Sequence, residues 1–151
     1  MRTGRQQRAS SPVFLLALFT ALAVPPVATA TATAAEPSLS GNFLPAVIAG
    51  SEPHRQSLVG LIRGKPGLPA WVRNMVSRDR YVALASKRVE IEGKSMQLFA
   101  ACQPGNCAAS ALRVLYSADG KRAVLRIADV RLGTIVLGEP KPAELDVLAA
   151  D

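Results

Sequence analysis

From Arg80 onward, apolar and polar residues alternate in short runs separated by turn signals, a pattern that leaves few options besides an antiparallel sheet. Tyr81 to Leu84 is a first short candidate strand. Residues 88–92 alternate strictly, with Val89 and Ile91 on one face, and Gly93-Lys94 turns the chain so that 95–102 returns alongside as a hairpin. Residues 111–117 place Leu112, Val114 and Tyr116 on one face. Asp119-Gly120 is the strongest hairpin signal in the chain. The return strand, 122–130, carries Leu125 and Ile127 inward and Arg122 and Arg126 outward. Residues 133–138 are the last short strand, and 140–149 predict a terminal helix with Leu145 and Leu148 on one face.

Before Arg80 the period is helical. Residues 43–49 are apolar and enter a short helix at Pro45, which Gly50-Ser51 breaks. Ser51 then caps a second helix, with Glu52 and Pro53 in its first turn and Leu58, Val59 and Ile62 along one side. Gly64-Lys65-Pro66-Gly67 stops it. A third helix starts near Pro69, with Trp71, Val72, Met75 and Val76 on its inner face. Trp71, the only tryptophan, reads as a core or interface anchor. Helices, a run of antiparallel strands, then a helix make an α+β domain with helices packed on an antiparallel sheet.

Residues 1–35 follow a different logic. Arg2, Arg5 and Arg8 precede a twelve-residue apolar run, 13–24, that Pro25-Pro26 terminates and an Ala/Thr-rich segment follows. That is the layout of a secretory signal peptide, and the apolar run is shorter than the roughly 20 residues a spanning helix needs. Cleavage after Ala34 or Ala35 is expected to leave a domain of 36–151 with no membrane span, exported from the cytoplasm. The formal charge of +7 includes those three arginines; the rest of the chain has fifteen cationic against eleven acidic side chains, a net +4. Without a basic cluster interleaved with aromatics, nucleic-acid binding is not expected.

Catalytic chemistry is sparse. His54, the only histidine, has no ligand-spaced companions and no nucleophile motif to serve, and is expected at the surface. Glu90 and Glu92 alternate with apolar residues and should face solvent. No phosphate-cradling Gly-rich loop is present, so the expectation is a non-enzyme without cofactor or metal. What stands out is Cys102-Gln103-Pro104-Gly105-Asn106-Cys107. Two cysteines in an exported chain admit one pairing, and their spacing is not the C-x-x-C of dithiol oxidoreductases. Closing so short a loop stabilises the fold by about 2 kcal/mol. It also holds a turn between two strands in one shape, which lowers the entropy lost on docking. A structural staple and a docking loop both fit.

These features together resemble the Ivy family, periplasmic inhibitors of vertebrate C-type lysozyme. The likeness runs from about Phe43 to Leu148. It rests on Leu68-Pro69-Ala70-Trp71-Val72, the 89–93 strand and turn, the C-x-P-x-x-C loop, Ser117-Ala118-Asp119-Gly120-Lys121-Arg122-Ala123, and Leu137-Gly138-Glu139-Pro140. The resemblance implies an α-β-α sandwich in which the disulfide loop (Gln103, Pro104, Gly105 and Asn106 between Cys102 and Cys107) enters the cleft of a lysozyme or related muramidase. There it would meet the two carboxylates that cut the glycan. The usual family loop is Cys-Lys-Pro-His-Asp-Cys; this chain has Gln103, Gly105 and Asn106 where that loop has Lys, His and Asp. A different cell-wall lytic enzyme is the alternative partner, and a homodimer is left open.

Overall fold

The computed structural model describes residues 38–150, so the expected signal peptide and its cleavage sites lie outside the described residues. The elements follow the expected order: α1 (Leu44–Gly50), α2 (Glu52–Ile62), α3 (Ala70–Asn74), β1 (Val82–Ala83), β2 (Lys87–Ile91), β3 (Lys94–Cys102), β4 (Ser110–Ser117), β5 (Ala123–Asp129), β6 (Gly133–Leu137) and α4 (Pro142–Ala149). The six strands form one antiparallel sheet in the order β1-β3-β4-β5-β6. β2 also pairs with β3, so β1 and β2 occupy one edge in succession. The fold is α+β, with helices flanking the antiparallel sheet.

Two helical layers explain why the central strands are buried on both faces. On one face, Phe99, Val114, Leu125 and Leu137 lie opposite one another across four strands, beside Ala101, Leu112, Ile127 and Ile135. Leu44, Ile48, Leu58, Ile62, Val72 and Met75 from α1–α3 and the segment that follows complete this core. The other face carries Met96, Leu98, Leu115 and Val124 beneath Leu148 of α4. Leu125 and Ile127 point inward as expected, and Val124 between them is also fully buried, because α4 covers the second face. Leu145, expected beside Leu148, is exposed; Ala143 and Val147 pack there instead. Burial of Leu148 contributes about 2 kcal/mol. The Glu144 carboxylate orients the start of α4: it accepts the Lys141 N–H (2.8 Å) and a two-pronged bond from Arg122 (2.5 and 2.9 Å). Arg122, the larger cause, holds the Glu144 carboxyl below its usual range.

Turn positions differ in detail from the sequence pattern. The β2–β3 hairpin turns at Glu92-Gly93, one residue early, since Ile91 pairs with Lys94 and both turn residues have positive φ. That backbone twist matches the flanking strands. The β4–β5 hairpin does form around Asp119-Gly120, through the five residues 118–122 that separate the strands. Ser117 closes it, donating its N–H to the Arg122 carbonyl and its hydroxyl to Asp119.

His54 is a correction: it is only 9% exposed. His54, Leu58 and Ile62 fall at i, i+4 and i+8, one stripe of α2 facing the sheet. The imidazole lies 4.8 Å from the Tyr116 ring, and its Nδ1 is 2.7 Å from the Ser51 hydroxyl. Ser51 therefore spends its side chain on His54 rather than on a helix-capping bond. Gly120 closes over the ring, where a Cβ would stand 2.1 Å from Nδ1. Burial lowers the imidazole pKa below 6.5, partly opposed by Asp119.

Candidate partner-binding loop and the cleft beside it

The loop grows directly from the β3–β4 pair. Cys102 is the last residue of β3, opposite Ala111 of β4, and residues 103–109 make the connection. Cys102 and Cys107 are bonded, with Cα atoms 4.9 Å apart. Inside the ring the Asn106 N–H donates to the Gln103 carbonyl (3.0 Å). Pro104 and Gly105 are the two central residues of that turn, and Gly105 has φ +72°. This is the arrangement of a type II turn, which asks for proline second and glycine third. The Gln103 N–H donates to the Ser110 carbonyl, and the Asn106 carbonyl accepts from both Ala109 and Ser110. The sequence expectation of a closed turn between two strands thus has its physical basis in three features: disulfide, turn and ladder.

Pro104, Gly105, Asn106, Cys107 and Ala108 are all exposed, while Gln103 is half-buried at the base. The amide N–H groups of Gly105, Cys107 and Ala108 donate to no protein group among the described residues. With the side-chain amides of Gln103 and Asn106, which approach each other at 3.4 Å, the tip offers neutral donors and no charge.

Ser110 holds this loop to the rest of the molecule, and sequence reasoning did not single it out. It is 1% exposed. Its hydroxyl accepts the Trp71 indole N–H (2.9 Å) and donates to Asp129 Oδ2 (2.7 Å). The other Asp129 oxygen accepts the N–H groups of Arg131 and Leu132, which shapes the β5–β6 turn. Those bonds, Ser110 first, hold the Asp129 carboxyl below its usual pKa. α3, the loop base and the β5–β6 turn are therefore tied through one hydroxyl. Trp71 does act as an anchor, half-buried against the core and Tyr81.

Between these parts lies an open cleft of about 480 Å³, lined by Leu68, Trp71, Gln103, Asn106, Asp129, Val130 and Leu132 among others. Val130 and Leu132, on the turn that Asp129 shapes, are 74% and 49% exposed. The loop thus stands beside two exposed apolar side chains, with Arg131 between them. Glu90 and Glu92 lie elsewhere, exposed and paired with Arg88 and Lys141. Among the described residues no helix is long and apolar enough to cross a membrane. Comparison with family models and with curated proteins returns no match for this chain.

Proposed function

We infer that this is an exported, non-catalytic, Ivy-like protein that binds a C-type lysozyme or related muramidase and blocks its cleft with the Cys102–Cys107 loop. The observation that carries the reading is the combination of exposure and constraint at 104–108, with three unspent backbone N–H donors at the tip. A muramidase cleft presents two carboxylates, and backbone N–H groups are suited to receive them. Neutral donors make weaker bonds than charged ones, so affinity would depend more on the fixed shape and on Val130 and Leu132. Lysis of peptidoglycan by a C-type lysozyme, with the protein in molar excess, tests this. Dose-dependent inhibition that Cys102→Ser/Cys107→Ser removes supports the reading, and full lysis throughout rejects it.

A second reading has its own observation. Gly105 occupies the family's histidine position at a φ that favours glycine. The turn is therefore adapted to a tip without a side chain, which suits a narrower or less acidic cleft in another cell-wall lytic enzyme. Capture from periplasmic extract followed by glycan-cleavage assays separates the two: recovery of a C-type lysozyme alone counts against the second.

A further inference from the structure

The net charge of this domain is concentrated in one segment. Residues 52–80 hold six cationic and two acidic side chains, net +4. All other residues from 36 onward hold nine of each and sum to zero. A groove of about 740 Å³ lies within this segment, between one side of α2 with the turn after it and the residues around the end of α3. Arg55, Arg63, Lys65 and Arg73 line it, beside Ile62 and Val76. Arg55 is paired with Glu52, whereas Arg63, Lys65 and Arg73 have no ion pair among the described residues.

Three of the four cations are arginines, whose planar fork matches phosphate oxygens in pairs. Of the apolar lining, Ile62 is buried in the core and Val59 and Val76 are half-buried, so the groove presents mainly its cations to a ligand. An extended acidic peptide fits less well, because the groove offers little to its main chain. The helical walls use their own N–H and C=O groups internally, so only the short 64–66 turn has main-chain groups to offer, and the one neutral hydroxyl in the lining, Ser77, already donates to the Asn74 carbonyl. The large exposed apolar side chains all lie outside 52–80, so nothing here would insert deeply into a bilayer. We propose that this groove binds the phosphate headgroups of an anionic phospholipid surface and holds the domain reversibly against a membrane. No residue lines both this groove and the loop cleft, so the two surfaces are free to work together.

The test is sedimentation with vesicles of phosphatidylglycerol or phosphatidylcholine, using protein purified after expression of the full chain. Wild type and variants share whatever N-terminal segment they retain, so differences report on the groove. Binding to phosphatidylglycerol is expected, with none to phosphatidylcholine, and with loss as salt shortens the screening length to about 3 Å at 1 M. Each cation removed should weaken binding about fivefold. Arg63→Gln/Lys65→Gln/Arg73→Gln should therefore lose about 100-fold, and circular dichroism checks its fold. Lys87→Gln/Lys94→Gln/Lys121→Gln removes as much charge elsewhere and should bind nearly as wild type. Equal loss in both triple variants, or no preference for the anionic lipid, overturns the proposal. So does binding to polyglutamate without binding to either vesicle, which would assign the groove to an acidic protein.

Discussion

Two surfaces lie on either side of α3, and they are built on opposite principles. On the Trp71 side, the loop at 102–107 has a fixed shape and no charge: a disulfide, a proline-glycine turn and the Ser110 hydroxyl each restrict it. On the Arg73 side, the groove has charge and little constraint, with long exposed side chains on helices and on the Gly64–Gly67 turn. A constrained neutral tip selects by shape and loses little entropy on binding. A set of mobile cations selects by charge, and salt weakens it. On the two proposals, one domain of this size would hold a specific and a non-specific surface with no lining residue in common.

Breaking the constraint should give the largest effect. Cys102→Ser/Cys107→Ser should lower stability by about 2 kcal/mol and abolish loop-dependent inhibition, while leaving vesicle binding intact; urea unfolding and the two binding assays measure this. Ser110→Ala should cost about 1.5 kcal/mol, because the half-buried Trp71 indole N–H loses its partner and Asp129 keeps only the bonds to its Oδ1. Indole fluorescence should shift with it. Gly105→Ala should cost about 1 kcal/mol, since φ +72° is strained for any residue with a Cβ even though space is open there. Gly105→His carries the same strain. On the lysozyme reading it should nonetheless strengthen inhibition, as its imidazole adds a charge-assisted donor. On the groove side, Arg63→Gln/Lys65→Gln/Arg73→Gln should leave stability within about 0.5 kcal/mol, since all three are exposed and unpaired among the described residues.

The smallest effect at neutral pH appears only on acidification. The loop tip has no titratable side chain, so any pH dependence of its docking between pH 5 and 8 belongs to the partner. α2, which carries the groove, is rooted on buried His54. Its folded pKa is lowered from 6.5, so the unfolded chain takes the proton first. His54 neutrality is compatible with full stability above pH 6.5, and stability falls as pH drops through that value toward the folded pKa. Urea midpoints measured between about pH 7.5 and pH 5.5 should decline for wild type and decline less for His54→Phe.

Local pattern carried much of the fold. Strand alternation at 88–92 and 111–117, the Asp119-Gly120 hairpin and the Pro104-Gly105 turn depend on neighbouring residues, so they were legible from residue order alone. His54 was misjudged although the signal was present: its i, i+4, i+8 stripe with Leu58 and Ile62 outweighed the absence of chemical companions. The Glu92-Gly93 turn shifted by one residue because cross-strand register, not turn composition alone, selects it.

By itself the sequence determined the α+β class, the order of the elements and the closed loop between two strands, because hydrophobic period, turn chemistry and a short covalent ring act over a few residues. Only the tertiary structure decided what that loop stands on. The partners of Ser110 lie 39 and 19 residues away in the chain, and the groove joins Arg55 to Ser77. Such contacts are set by how helices pack across a twisted sheet, and no local pattern encodes which side chains that packing brings within 3 Å of one another.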